Sequence, residues 1–114
     1  NDIKNSNKTL HVLNSKFNNV KYFVFSDDIK WCKENLKINS VIYVDSEEER
    51  DPCEDIYLMS LCRHNIIANS SFSWWGAWLN KNNEKIVVTP KRWFDDNNLQ
   101  KQSISLIPEA WIKV

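Results

Sequence analysis

Over residues 66–79 the hydrophobic period changes within three positions, and no other stretch restricts the fold as much. Ile66, Ile67 and Ala68 form a short apolar run of buried-strand type, whereas from Phe72 onward large apolar side chains recur at helical spacing. Asn69, Ser70 and Ser71 lie between the two patterns. A strand that turns so tightly into a helix aims the first amide N–H groups of that helix across the C-terminal edge of the sheet. Those amides have no acceptor within the helix, and a phosphate is well held there. Ser70 and Ser71 are therefore the leading ligand candidates. Serine is equally a preferred N-cap in helices that bind nothing, so both readings stand on the sequence.

The aromatic residues that follow favour a core. Trp74 and Trp78 are four apart, and Trp75 precedes Trp78 and Leu79 by three and four, a spacing that stacks rings on one packed face. A sugar-binding module would need the same rings on an exposed surface. Gly76, the single glycine of the chain, sits among them. Glycine inside a helix costs about 1 kcal/mol relative to alanine, so its presence marks a close approach of the backbone to a strand or a ligand.

Earlier in the chain, Leu10, Leu13, Phe17 and Val20 keep a helical period. Residues 22–26 form a strand that ends in Ser26, Asp27 and Asp28, a cap for a helix over 29–36. A second strand covers 41–44, and the acidic segment 45–51 reads as a solvated loop. Asp51, Pro52 and Glu54 then carry the marks of a helix start with a capping box, the helix running to about Cys62. Ile56, Leu58, Met59, Leu61 and Cys62 leave it little polar face and predict cover on nearly all sides. Further strands are placed at 65–68 and 86–89, the latter closed by Pro90 and followed by Lys91, Arg92, Trp93 and Phe94 in a loop. Residues 95–103 read as a polar, mobile stretch, and 104–114 as an apolar tail whose Trp111 packs back on the domain.

Strands alternating with helices predict one α/β domain over residues 1–114, a Rossmann-like parallel sheet buried on both faces and flanked by helices. In that topology the loops leaving the strands and the helix N-termini share the C-terminal edge, where ligands bind. Asp27, Asp28, Asp55, Asn69, Ser70, Ser71, Phe72, Lys91 and Arg92 are thereby expected at one rim. Serines and helix amides suit a phosphate, a Lys-Arg pair reinforces that charge, and a carboxylate suits the paired donors of guanine or the hydroxyls of a ribose. Together they point to a nucleotide diphosphate. Singly each is weak, since surface cations and capping aspartates are common.

Composition excludes other classes. Fifteen basic and fifteen acidic residues cancel and form no basic stripe, against nucleic-acid binding. No run reaches the ~18 apolar residues of a membrane span, and the first residues carry no secretory pattern. Cys32, Cys53 and Cys62 lack CxxC spacing and read as reduced, largely buried thiols of a cytosolic protein. His11 and His64 fall on no metal-ligand spacing, and His64 beside a strand reads as structural. No metal is expected. A receiver-like signalling domain shares the topology, with Asp27, Asp28, Asp45, Thr89 and Lys91 as ingredients. It would need its phosphorylated aspartate after the third strand, where this chain has Asn69, Ser70 and Ser71.

Several of these segments together carry a family likeness. Phe-Val-Phe-Ser-Asp-Asp-Ile-Lys-Trp-Cys from Phe23, Asp-Ile-Tyr-Leu-Met-Ser-Leu-Cys from Asp55, Asn-Ser-Ser-Phe-Ser-Trp-Trp-Gly-Ala from Asn69 and Pro-Lys-Arg-Trp-Phe from Pro90 resemble the C-terminal half of the α-1,2-fucosyltransferases of glycosyltransferase family eleven. The likeness covers residues 20–114. It implies a GT-B architecture of two Rossmann-like domains, this one binding GDP-fucose. It also implies metal-independent, cofactor-free transfer of fucose with inversion to a galactose 2-hydroxyl, by a cytoplasmic enzyme peripheral to the inner membrane. By the same likeness Asp55 meets the guanine and Ser70, Ser71 and Phe72, with Asn69, meet the β-phosphate; Asp27, Asp28, Lys91 and Arg92 are further candidates. Such enzymes carry a His-x-Arg-Arg motif in their first half, and this chain has no Arg-Arg pair. The chain is thus expected to be a fragment that holds the donor, with no catalytic residue of its own and the galactoside acceptor bound by the absent half. Another GDP-sugar-binding protein is the alternative.

Overall fold

The computed structural model describes residues 17, 19–44 and 51–114. The expected first helix and the acidic loop over 45–50 lie outside the described residues. The chain divides into two units, residues 1–50 and residues 51–114.

In the first unit, β1 (Tyr22–Phe25) leads through Ser26, Asp27 and Asp28 into α1 (Ile29–Asn35) and then β2 (Val41–Val44). Asp28 caps α1 with its carboxylate, which accepts the Trp31 N–H at 3.0 Å. β1 and β2 pair in parallel, Tyr22 opposite Val41 and Phe25 opposite Val44. Ser40 enters β2 with φ at 55°, and its carbonyl accepts the Tyr22 N–H at 2.9 Å, which sets that register. Tyr22 and Cys32 are buried, whereas Phe23 and Ile42 are exposed. Burial on both faces, expected for every strand, therefore fails here.

The second unit begins with α2 (Pro52–Ser60), capped by Asp51, whose carboxylate accepts the Cys53 N–H at 3.0 Å. Glu54 bonds back to Asp51 through its backbone N–H instead of its side chain, so the cap forms without the box. Then come β3 (Asn65–Ile66), α3 (Ser71–Trp78), β4 (Val87–Thr89), α4 (Asn97–Gln102), a single 3₁₀ turn (Ser103–Ser105) and β5 (Ile112–Lys113). The three strands pair in parallel in the order β3-β4-β5. The parallel pairing is as expected; among the described residues the first unit has a sheet of two strands and the second a sheet of three. Central β4 is sealed on both faces, with Val87, Val88 and Thr89 all under 5% exposed.

Ile67, Ala77, Val87, Trp93, Ile107 and Trp111 make the core, with Trp74 and Phe94 packed against it. The tail thus packs back as expected and adds a strand. Of the tryptophans of α3, Trp74 is the core member: its ring stacks on Trp78 at 5.2 Å and its Nε1–H donates to the Leu106 carbonyl at 2.9 Å. Trp75 and Trp78 are about half exposed, so the packed-face reading holds for Trp74 alone.

Gly76 marks a helix pair. A Cβ on it would stand 2.7 Å from Cβ of Met59, closer than side chains tolerate, so only glycine lets α3 lie this close to α2. Cover on nearly all sides of α2 is not found: Tyr57 and Leu61 are more than 60% exposed, because only the stripe around Met59 meets α3. Residues 95–103, read as a mobile loop, contain α4, whose cap Asp96 accepts the N–H groups of Asn98 and Leu99 at 2.8 and 3.0 Å. Among the described residues, no helix is long and apolar enough to cross a membrane.

Candidate functional site

Ile67 N–H still bonds to the Val88 carbonyl at 2.9 Å, after which the chain leaves the sheet and turns over Ala68, Asn69 and Ser70 into α3. Ser70 is extended (φ −129°, ψ 143°) and is the N-cap: its Oγ accepts the Ser73 N–H at 3.2 Å. Ser73 Oγ lies 2.7 Å from Ser70 Oγ and 3.1 Å from the Ala68 carbonyl, so the turn is pinned to its own first helical turn. Ser70 is thereby committed to structure. Ser71 and Phe72 are the first two helical residues, and their amides have no acceptor within the helix. The Ser71 side chain is exposed and makes no hydrogen bond among the described residues. Two amides, one hydroxyl and the positive end of an eight-residue helix are groups that suit an anion.

Asp55 belongs to the same edge. α2 leads into β3 and α3 leaves it, so both helices run back against the strand direction, and their first turns stand where β3 ends. The Met59–Gly76 contact fixes their stagger. One turn nearer the N-termini, at i−4 from each, are Asp55 on α2 and Phe72 on α3, on the stripes that face each other. Asp55 is half-buried, with Oδ1 shielded from solvent. A carboxylate at this level suits N–H donors of a ligand.

The loop after β4 completes the edge. The Asn69 side-chain amide donates to the Trp93 carbonyl at 3.4 Å, joining the loops that follow β3 and β4. Lys91 and Arg92 are both exposed but differ in their commitments. Arg92 Nη2 donates to the Asp95 carbonyl and to Asn97 Oδ1, bracing the head of α4. The Lys91 ammonium makes no hydrogen bond or ion pair among the described residues. The structure thus gathers Asp55, Asn69, Ser70, Ser71, Phe72, Lys91 and Arg92 at the C-terminal edge of the β3-β4-β5 sheet.

Asp27 and Asp28 stand at the corresponding edge of the first unit's own sheet, where Asp28 is occupied as the α1 cap. His64 takes the structural role expected of it. It precedes β3, at the opposite end of the strand from the site, and its Nδ1 accepts the Ile86 N–H at 2.9 Å. All three cysteines are free thiols, but the burial expected of them holds only for Cys32: Cys62 is half-buried, and Cys53 is exposed in the first turn of α2. No three His, Cys, Asp or Glu side chains among the described residues gather as metal ligands. Two residues of the site region escaped the sequence reading. Ser73 was legible in principle, since Ser70 and Ser73 keep the cap-to-N3 spacing of a capping box. Gln100 carried no signal, as it lies in a polar stretch without apolar period.

The profile of glycosyl transferase family 11 matches residues 1–114. Over 95 residues, 80% of the chain, it is 46% identical to the O-antigen biosynthesis glycosyltransferase WbnK of Escherichia coli. Over 111 residues, 93% of the chain, it is 41% identical to an alpha-1,2-colitosyltransferase of Escherichia coli. Galactoside alpha-(1,2)-fucosyltransferase 2 of Rattus norvegicus is 27% identical over 74 residues, 63% of the chain. These matches span only 29%, 37% and 21% of the three relatives. No solved structure is significantly similar to the chain.

Proposed function

From the premise that the chain belongs to glycosyl transferase family 11, we propose that it is the donor-binding part of a galactoside α-1,2-fucosyltransferase, the C-terminal domain of a GT-B enzyme. The donor is GDP-β-L-fucose. The Ser71 hydroxyl and the Ser71 and Phe72 amides take the diphosphate, Lys91 adds charge at the same edge, and Asp55 accepts the guanine imino and amino protons. The observation that carries this reading is the division of labour at α3: Ser70 caps the helix, which leaves Ser71 and two amides for an anion at the level of Asp55. Transfer with inversion to a galactose 2-hydroxyl requires negative charge to be stabilised on the departing diphosphate, and oriented donors of this kind supply part of that. The remaining charge and the acceptor groove belong to the rest of the longer enzyme. The chain alone holds donor and transfers nothing. A second sugar, colitose, is supported by the 41% identity to a colitosyltransferase, which exceeds the 27% to the rat fucosyltransferase. Both sugars place the same demands on the nucleotide edge.

Nucleotide discrimination tests this. GDP should raise the melting temperature of the 114-residue chain more than ADP does, because adenine lacks the paired protons that Asp55 accepts. Asp55→Ala should cost about 1–3 kcal/mol of GDP affinity, the range for a hydrogen bond to a charged group, and should leave ADP binding as it was. Equal stabilisation by the two nucleotides removes Asp55 from the base.

A further inference from the structure

We propose that Gln100 is a positioning residue for the anion end of this site, acting through Lys91. The inference rests on the diphosphate reading above. Gln100 lies on α4, and its side-chain amide makes three bonds to the backbone of the loop after β4. Oε1 accepts the N–H groups of Trp93 at 2.7 Å and Phe94 at 3.0 Å, and Nε2 donates to the Lys91 carbonyl at 2.7 Å. A primary amide offers two donors and two acceptor lone pairs, so three of its four capacities are spent on this loop.

The rest of the loop is fixed from other sides. The Lys91 N–H bonds to the Val114 carbonyl at 2.9 Å, continuing the β4-β5 edge. Trp93 is anchored in the core, its Nε1–H donating to Thr89 Oγ1 at 3.0 Å, and its carbonyl receives the Asn69 amide from the β3–α3 turn. Arg92 is tied to Asp95 and Asn97. What remains uncommitted in this framework is the exposed Lys91 ammonium, whose Cα is held on one side by β5 and on the other by Gln100. A cation whose origin is fixed acts at a set distance from a ligand on α3, and a displacement of about 1 Å is enough to weaken such contacts. Gln100 therefore sets where the Lys91 charge can reach, while Arg92 braces the loop and does not bind the ligand.

The test is a GDP titration of the unaltered 114-residue chain and of Gln100→Ala, Gln100→Glu, Lys91→Met and the double Lys91→Met/Gln100→Ala variant, at two salt concentrations. Lys91→Met should weaken GDP by about fivefold, the upper range for an exposed ion pair, and should flatten the salt dependence. Gln100→Ala should reproduce both effects, and the double variant should lose no more than Lys91→Met alone. A merely structural glutamine would leave the salt dependence as it was and add its loss to that of Lys91→Met. Gln100→Glu keeps the two acceptor bonds and sets an oxygen against the Lys91 carbonyl, so it reads the same coupling if the alanine variant does not fold. Gln100 variants with unaltered affinity, additive losses, or a Lys91→Met chain that binds GDP fully would each overturn the proposal. Absence of any saturable GDP response in the unaltered chain overturns the diphosphate reading itself, and this inference with it.

Discussion

Ser70 and Ser71 are the same side chain at adjacent positions, and the backbone alone separates their roles. Ser70 keeps the extended conformation of the departing strand, which brings its Oγ to the Ser73 N–H, while Ser71 is already helical. The two serines should therefore fail differently. Ser70→Ala should lower stability to urea by about 1 kcal/mol, the usual value of an N-cap. Ser71→Ala should leave the urea midpoint in place and weaken GDP binding; a midpoint that falls with Ser71 and not Ser70 would reverse the assignment. The sequence could name this pair but not divide it, because which serine caps depends on where the strand ends. Arg92 and Lys91 pose the same difficulty. They are neighbouring cations on the page, and only the contacts with Asp95 and Asn97 tell the brace from the free charge. Gly76 was legible as a close approach, and its partner, Met59, was not, since nothing local specifies which element lies opposite.

Helices and strands were legible where period and punctuation coincide. Asp51 and Pro52 announced α2, Val87 and Val88 announced β4, and the turn from Ile67 into Phe72 announced α3. α4 was missed because its one apolar residue, Leu99, gives no period, and its signal is the single cap Asp96. β5 was missed as a strand because two residues at the end of an apolar tail carry no alternation. The ends of α2 and α3 also set a dependence on alkali. Burial pushes the Cys62 thiol, whose Sγ donates to the Leu58 carbonyl at the end of α2, above its ordinary value of 9.0. Burial likewise raises the Tyr22 hydroxyl above 10.0. In each case the unfolded chain gives up its proton first, so the stability these groups support is whole below their ordinary values and is lost as pH rises through the folded ones. Lys85, which donates to the Ala77 and Asn80 carbonyls at the end of α3, goes the other way. Desolvation lowers its ammonium below 10.5, so on its account stability rises with pH as the folded chain releases that proton before the unfolded one does. Between pH 8 and pH 10 the contributions of Cys62 and Lys85 oppose each other, and Cys62→Ala should move the urea midpoint at pH 10, relative to that at pH 8, upward; an unchanged pH response would show that the thiol contributes nothing to it.

For the molecule as a whole, the chain belongs to glycosyl transferase family 11 and spans about a third of the length of WbnK and of the colitosyltransferase. The parallel α/β character was legible from the alternation of elements. The strand order within the second unit was not, because pairing between strands distant in sequence leaves no mark on either. The central claim is that the edge of the β3-β4-β5 sheet, at the head of α3, is where the nucleotide diphosphate sits. The most direct measurement is a titration of the isotopically labelled chain with GDP, following backbone amide resonances. The Ser71 and Phe72 amides should shift furthest and saturate together with resonances around Asp55 and Lys91, while Asp28 and Trp31 at the α1 cap stay in place. A saturating response centred on the α1 cap, or Ser71 and Phe72 amides that do not move, would contradict it.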